Sequence, residues 1–280
     1  MHVTKNTKLT TTLLIATYNW SSALSVVLNS ILRQSVAPTE IIIADDGSRE
    51  DTAQLIKEFN KTHNLAIKHV WHPDAGFRKT LILNKAIQQS CASYLIQIDG
   101  DIVMHSHFIR DHIAAAEEGF FVQGSRAMLT KKLTEKVVSC NSFKLHALSR
   151  GMHTRFNAIH CPRLAFIFSC NPTSSHNVKG CNMAFFRADF IRINGYYNGF
   201  EGWGFEDYEF AERLINSGIK KKRLKWAAVS YHLFHPLCSR KNFRSNEIIY
   251  EETVAQKKTY RIPGYHEISA QKAHHYGCSE

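Results

Sequence analysis

Apolar runs alternate with helix-like patterns from Lys8 to about Gly124, and this alternation constrains the fold more than any other feature of the chain. It is typical of βαβ units, in which helices join parallel strands and cover the sheet. We expect strands at Thr12–Ala16, Glu40–Ala44, Ala66–Trp71 and Tyr94–Ile98. We expect helices between them at Ser21–Gln34, Glu50–Asn60 and Lys79–Gln89. Three helices then connect four strands.

The rest of the chain is less regular. Residues 125–179 are expected to mix helix and loop and to shape a cleft. After them the pattern predicts a strand at Gly180–Phe186, a short helix at Ala188–Ile193, a helix at Glu206–Ser217, a strand at Leu224–Tyr231 and a helix at about Ser245–Lys258. These elements give the chain a second, more varied half.

Composition narrows the class of protein. No apolar run reaches the roughly 20 residues that cross a membrane, and the first residues lack a signal-peptide apolar segment, so a cytoplasmic location is expected. The seven cysteines form no CxxC pair, which disfavours a disulfide framework or a cysteine zinc site. The net charge of +11 favours anionic partners. Nucleic acid is not expected as a partner, because no nucleic-acid-binding motif is present. Peripheral contact with an anionic inner membrane face is expected from the charge.

Polar groups follow each predicted parallel strand, at the end where ligands of open α/β sheets bind. They are Thr17–Asn19, Asp45 with Asp46, His72–Lys79, and Asp99 with Asp101. Asp99 and Asp101 flank Gly100, and two such carboxylates suit Mg²⁺ or Mn²⁺ that bridges a diphosphate. A solvated acidic turn is the alternative. Asp45 and Asp46 suit a nucleobase or ribose, or else a turn and helix cap.

Three further groups suggest chemistry. Arg78 and Lys79 begin a helix, where cations are mildly unfavourable, and together with the helix terminus they suit a diphosphate. Trp203 stands between two glycines before an acidic helix start and can stack on a sugar, with an aspartate beside it as a general base. The acids there also fit a simple first-turn role. His232 and His235 follow a predicted strand and suit a metal, although structural histidines are common.

Taken in order, these elements resemble glycosyltransferase family 2 with the GT-A fold. The resemblance rests on Leu14–Asn19, Ile43–Ser48 and Gln97–Asp101 in the first half. In the second half, Lys179–Arg187, Gly202–Asp207 and His232 are similar to the acceptor half of the beta-1,4-galactosyltransferases and bacterial chondroitin-type polymerases. The family implies an α/β fold in which a Rossmann-like nucleotide-binding half with a mixed central sheet is fused to an acceptor-binding half. The expected parts are 1–124 for the UDP-sugar, 125–236 for acceptor and catalysis, and a helical or irregular tail at 237–280.

The resemblance also implies residue roles. Uridine would be bound by Thr17, Tyr18, Asn19, Asp45 and Asp46, and Arg78 and Lys79 would lie near uracil or the diphosphate. Asp99 would face the ribose and the metal's water shell, and Gly100, Trp203 and Glu206 complete the donor-binding set. Asp101 would ligate the metal directly with His232 or His235, and Asp207 would be the catalytic base.

The implied reaction is an inverting transfer from a UDP-sugar to a hydroxyl of a glycan or lipid-linked glycan, with Mn²⁺ or Mg²⁺, in bacterial surface polysaccharide synthesis. UDP-galactose, UDP-GalNAc, UDP-GlcNAc and UDP-glucuronate all remain open as donors. A nucleotidyltransferase would also use paired aspartates, although the lysine-containing glycine-rich loop typical of that class is absent near the first strand. A non-catalytic carbohydrate- or membrane-binding module is the third hypothesis.

Overall fold

The computed structural model of the chain describes residues 9–141, 144–168, 172–236 and 239–268. Its first part contains four parallel strands and three helices. The strands are β1 (Thr11–Thr17), β2 (Glu40–Asp45), β3 (Ile67–Trp71) and β4 (Tyr94–Asp99). The helices are α1 (Ser21–Ile31), α2 (Glu50–His63) and α3 (Lys79–Gln88). The predicted alternation is confirmed, with α1 ending three residues before the expected Gln34.

The sheet is covered on both faces, which explains why its strands are apolar throughout. Successive residues of β1 point to opposite faces, so Leu13 and Ile15 pack against α1 and α2. Leu14 and Ala16 pack on the other side, against α3. Every residue of β1 is buried. The carboxyl ends of these strands therefore meet at one rigid edge.

Strands from later in the chain extend this sheet to seven. The added strands are β6 (Phe120–Gln123), β8 (Asn182–Phe186) and β9 (Lys220–Arg223). The order is β3-β2-β1-β4-β8-β6-β9, and β8 is antiparallel to both β4 and β6. The expected mixed central sheet is confirmed. Residues from both sides of position 124 form it, so the proposed halves share one core.

A second, three-stranded sheet was not predicted. It consists of β5 (Ile102–Met104), β10 (Val229–His232) and β7 (Ser125–Met128), with β10 in the middle. These strands are three or four residues long and pair across large sequence separations, and only β10 overlaps a predicted strand. The short sheet nevertheless carries His232 at the end of β10, beside the segment that follows β4.

The predicted continuous strand Leu224–Tyr231 is wrong. Residues 224–228 form a turn in which Trp226 and Ala228 adopt positive φ angles of 68° and 46°. Tertiary contacts hold this conformation, because the Ala228 N–H donates to Asp111 Oδ2 at 3.0 Å and its carbonyl accepts from Asn182 Nδ2 at 2.9 Å. Strand β9 ends before the turn and β10 begins after it, each in a different sheet.

Five further helices complete the described elements. They are α4 (Phe108–Ala115), α5 (Lys131–Cys140), α6 (Arg187–Arg192), α7 (Glu206–Asn216) and α8 (Phe243–Ala255). Residues 125–179 mix helix and loop as predicted, with two 3-10 segments at Arg155–Ala158 and Pro162–Phe168, but they also contain β7. Within the described ranges, no helix combines the length and apolar character that a membrane span requires.

Candidate active site

A cavity of about 1090 Å³ opens where the carboxyl ends of β1, β2 and β4 meet the start of α7 and the segment after β10. It brings together most of the residues that the sequence singled out. Those that line it are Thr17, Tyr18, Asp46, Lys79, Asp99, Gly100, Asp101, Trp203, Glu206, Asp207, His232 and His235. Asn19, Asp45 and Arg78 are not among its lining residues.

Asn19 and Asp45 support the wall of the cavity from behind. The Asn19 N–H donates to Ser48 Oγ at 2.8 Å, and Asn19 itself adopts a positive φ of 47°. Asp45 is buried; its Oδ1 accepts from the Ser48 N–H at 2.8 Å, and its Oδ2 lies 2.9 Å from His69 Nε2. These contacts join the ends of β1, β2 and β3.

Asp46 faces the cavity and is fixed from two directions. Its Oδ1 lies 2.7 Å from His72 Nε2, and its Oδ2 accepts from the Arg78 N–H at 2.8 Å. Each carboxylate oxygen has a second lone pair, so Asp46 can still accept from a ligand. Thr17 is buried beside it and Tyr18 is half exposed. The start of α3 thus contributes a backbone N–H, while the Arg78 side chain lies at the surface, 3.9 Å from Glu201.

Gly100 lets the backbone between Asp99 and Asp101 pass close to the end of β1. A Cβ at this position would lie 2.7 Å from Thr17 Oγ1, and the Gly100 N–H donates to the Ala16 carbonyl at 2.6 Å. Asp99 then lies against Lys79, with 2.7 Å between Oδ1 and Nζ. Burial alone would lower the pKa of Lys79, but the carboxylates of Asp99, Asp207 and Glu206 raise it well above its ordinary value. The lysine therefore stays charged.

Asp101, His232 and His235 form a group whose ligand atoms all lie within 4.8 Å of one another. Asp101 Oδ2 is 3.5 Å from His232 Nε2 and 3.3 Å from His235 Nε2. Among the described residues, the buried atoms Asp101 Oδ1 and His232 Nδ1 have no hydrogen-bond partner. Unpaired buried polar atoms are costly, so this arrangement is suited to a bound cation.

The protonation of the two histidines also fits metal binding. Burial, and then the positive charge of Arg126, lower the pKa of His232 to about 3, so the imidazole is neutral at pH 7. His235 Nδ1 lies 2.7 Å from the Pro236 carbonyl, which only accepts. Nδ1 must therefore carry a proton, which leaves Nε2, the atom 3.3 Å from Asp101 Oδ2, as the nitrogen available to a metal. A ligand histidine is commonly held in this way through its other nitrogen.

Asp207 is held at the start of α7 and lines the same cavity as this group. The Gly180 N–H donates to its Oδ2 at 2.8 Å, whereas its buried Oδ1 has no partner in the described part of the chain. Burial raises the pKa of Asp207, and Lys79 opposes that rise. Burial, and then Asp207, raise the pKa of the neighbouring Glu206 to about 7, and its Oε2 accepts from the Gly204 N–H at 3.0 Å.

Trp203 forms an aromatic surface at the cavity mouth. The positive φ angles of Gly202 (72°) and Gly204 (117°) let the chain turn sharply on either side of it. Its ring stacks on Phe243 with centroids 6.0 Å apart, and the guanidinium of Arg240 lies 5.8 Å from its centre. The indole remains 38% exposed, so one part of it is free to contact a ligand.

The sequence reasoning missed three cations that line this cavity: Arg126, Lys179 and Arg240. Arg126 lies on β7, a short strand with no signal in the sequence, and Lys179 precedes Gly180 in a segment that was noted only for its resemblance. The contact between Lys79 and Asp99 was also not foreseen. Position in the sequence predicted which residues follow the strands, whereas the place of Arg126 depends on the pairing of β7 with β10 in the second sheet.

Comparisons with known proteins agree with the fold. A sequence model described as glycosyl transferase family 2 matches residues 12–188, and one described as the N-terminal domain of galactosyltransferase matches residues 168–236. Chondroitin synthase from Escherichia coli is 23% identical over 237 residues, covering 79% of this chain and 34% of that protein. The chain spans between about a third and about half of the length of the first curated relatives it matches.

Solved structures show the same architecture. Staphylococcus aureus TarS 1-349 in complex with UDP superposes with a TM-score of 0.61 at 15% identity, covering 89% of this chain and 68% of that one. The mannosyltransferase PcManGT from Pyrobaculum calidifontis, in complex with GDP-Man and Mn²⁺, superposes with a TM-score of 0.56 at 16% identity, covering 88% and 62%. Both likenesses establish the GT-A fold. Together with the match over residues 12–188, they identify the chain as a member of glycosyl transferase family 2.

Proposed function

We propose that the chain moves a sugar from a UDP-sugar to a hydroxyl group of a glycan acceptor, with inversion at the anomeric carbon. One observation carries this proposal. One cavity at the carboxyl edge of the sheet is lined by the group of Asp101, His232 and His235 and by the Asp207 carboxylate. Among the described residues, Asp207 Oδ1 has no hydrogen-bond partner. An inverting transfer needs these two features, a site for the leaving diphosphate and a base for the attacking hydroxyl.

The donor is proposed to bind with its uridine against Thr17, Tyr18 and Asp46, and with its ribose near Asp99. Asp46 is fixed and buried, so it offers an acceptor in a defined position to the imide N–H of uracil. Two related solved structures support a nucleotide on this fold, because TarS was determined with UDP and with UDP-GlcNAc. In our proposal Asn19, Asp45 and Arg78 do not contact the nucleotide and instead keep the nucleotide-binding residues in place.

A divalent metal is proposed to bind Asp101, His232 and His235. Bound there, the cation would supply positive charge that stabilises the diphosphate leaving group. One carboxylate and two imidazoles suit Mn²⁺ better than Mg²⁺, which prefers oxygen ligands throughout. The Mn²⁺ in the PcManGT structure supports a metal in this family. Asp99 is engaged with Lys79, which favours Asp101 as the direct ligand.

Asp207 is proposed to accept the proton of the acceptor hydroxyl. Its Oδ2 is fixed by the Gly180 N–H, and its free Oδ1 then takes the proton as the hydroxyl oxygen bonds to the anomeric carbon. The bond from that carbon to the diphosphate oxygen breaks in the same displacement. A raised pKa makes Asp207 a stronger base than an exposed aspartate, and the charge of Lys79 favours its ionised form.

The acceptor is proposed to be a glycan or lipid-linked glycan that stacks on Trp203, in the synthesis of a bacterial surface polysaccharide. Chondroitin synthase, among the relatives, supports a polysaccharide product. Contact with an anionic membrane face stays a prediction from net charge. The basic run of β9 contributes less to it than its composition indicates, because Lys221 donates to the Ser174 and His176 carbonyls and Lys222 to the Ala115 carbonyl.

The test is a panel of UDP-sugars incubated with the protein and Mn²⁺, with UDP and pyrophosphate both measured. We expect UDP release from one donor and its loss on addition of EDTA. Release of pyrophosphate would instead indicate a nucleotidyltransferase. If UDP does not raise the melting temperature in the presence of Mn²⁺, the nucleotide site is wrong and a non-catalytic carbohydrate-binding role is favoured.

A further inference from the structure

Arg126 and Lys179 are two cations of the cavity that the proposed reaction does not use. Both are partly buried, and in the described part of the chain neither forms an ion pair with a carboxylate. Lys79, by contrast, lies 2.7 Å from Asp99. Arg126 Nη1 is 3.3 Å from Cys181 Sγ, but burial raises the pKa of this thiol to about 12, so it contributes no negative charge.

Arg126 and Lys179 line the same cavity. Burial, and then the charge of Arg126, lower the pKa of Lys179, and the carboxylate of Asp207 opposes this. Two like charges that line one partly buried cavity without an ion pair are unfavourable unless an anion binds them. An arrangement that breaks a local rule of stability in this way is typical of a binding site.

Both side chains line the cavity that also contains the proposed metal ligands and the proposed base. Arg126 lies on β7, which pairs with β10, the strand that carries His232. Lys179 directly precedes Gly180, whose N–H holds Asp207. In the proposed function this is the region of the reacting end of the donor. An anionic group of the donor would therefore come within reach of both side chains.

We propose that Arg126 and Lys179 form a subsite for an oxyanion of the donor, an inference that rests on the proposed function. Two donor groups have this chemistry: the β-phosphate of the nucleotide and the carboxylate of a uronic acid sugar. A guanidinium binds either group through two parallel N–H donors, and an ammonium adds a point charge. The subsite would then either hold the leaving group or select an acidic sugar.

Calorimetric titration in the presence of Mn²⁺ distinguishes these sources, with UMP, UDP, UDP-glucose and UDP-glucuronate as ligands. Arg126→Gln and Lys179→Gln are compared with wild type, and Arg126→Lys tests whether charge alone suffices. Arg223→Gln is the matched control, because this nearby exposed arginine is outside the cavity lining. Thermal melting of each variant confirms that it is folded.

A β-phosphate subsite predicts that both glutamine variants bind UDP at least about tenfold more weakly, with UMP unchanged. A carboxylate subsite predicts unchanged UDP affinity and loss of a wild-type preference for UDP-glucuronate over UDP-glucose. The inference is overturned if every affinity stays within about twofold of wild type, or if Arg223→Gln has the same effect. If wild type binds no UDP at all, the proposed function fails first and this subsite fails with it.

Discussion

At the scale of single residues, Gly180 determines where the proposed base lies. A Cβ at this position would overlap the Asp207 carboxylate, so only glycine allows the N–H to approach Oδ2. The requirement is steric and independent of backbone strain. Because the reacting groups of an enzyme must be placed to within a fraction of an ångström, this glycine is expected to matter for catalysis more than for folding.

We therefore expect Gly180→Ala to lower the rate of sugar transfer by about 100-fold, with the UDP dissociation constant within about threefold of wild type. Steady-state kinetics and calorimetry measure the two quantities. Gly119→Ala is the control: its φ of 80° makes alanine unfavourable there, yet no atom lies near the added Cβ. It should cost about 1 kcal/mol of stability and leave the rate unchanged. Equal rates for wild type and Gly180→Ala would contradict the placement of Asp207.

His112 predicts how stability depends on pH. The side chain is fully buried with Nε2 2.9 Å from Asn182 Oδ1, and burial lowers its pKa from 6.5 to about 4. The unfolded chain then binds the proton more readily than the folded one. His112 therefore contributes about 3 kcal/mol to the free energy of unfolding above pH 6.5, and this contribution is lost as the pH falls to about 4.

Urea unfolding of wild type and His112→Gln at several pH values measures this effect. The variant should lose less stability than wild type between pH 6.5 and 4, since glutamine has no proton to gain there. Exposed His153 supplies the control, and His153→Gln should follow wild type. Parallel curves for wild type and His112→Gln would show that His112 is not the group responsible.

At the scale of elements, Asn182 joins the two sheets. It lies on β8 of the central sheet, and its Nδ2 donates to the Ser125 carbonyl and the Ala228 carbonyl, each at 2.9 Å. Ser125 begins β7, and Ala228 precedes β10, so one side chain connects three strands. The second sheet carries His232, and this amide therefore helps to place a proposed metal ligand.

We expect Asn182→Leu to lower the free energy of unfolding by about 3 kcal/mol, because the Ser125 and Ala228 carbonyls lose the amide donor and buried His112 loses its acceptor. Urea denaturation followed by circular dichroism gives the value. Asn29→Ala, which removes an amide that is only partly buried on α1, should cost no more than about 1 kcal/mol. A loss at Asn182 as small as that at Asn29 would mean that the sheets are joined by other contacts.

The elements also show what a sequence can predict. The four parallel strands and three helices follow from periodicity, since each is long enough to show a buried face. Strands β5 and β7 have three and four residues and obtain their partner β10 from a distant segment, so their own pattern is too short to detect. The turn at 224–228 depends on Asp111 and Asn182, far away in the sequence.

At the scale of the whole molecule, the same distinction applies to the site. Aspartates at the ends of parallel strands could be expected at one edge, and Asp46, Asp99 and Asp101 do line one cavity. Which of their oxygens are already engaged could not be predicted. Asp99 contacts Lys79, and Asp101 is left beside two histidines. His232 reaches Asp101 because β10 pairs with β5 and β7, segments that are distant from it in the sequence.

The two halves of the reaction are proposed to be separable within this single cavity. Donor binding depends on the sheet edge and on the Asp101 group, whereas proton transfer depends on Asp207 at the start of α7. A change confined to the free oxygen of Asp207 should therefore remove the second function and leave the first. Replacement of the carboxylate by an amide makes this change with almost no difference in volume.

The role of Asp207 as the base is tested most directly by measuring sugar transfer and UDP affinity in Asp207→Asn, with Mn²⁺ present. Asp189→Asn, on α6 and outside the cavity lining, is the matched control and should behave as wild type. We predict that Asp207→Asn transfers sugar at least about 100-fold more slowly and binds UDP within about threefold of wild type. Transfer at the wild-type rate, or loss of UDP binding with the fold intact, would contradict Asp207 as the base.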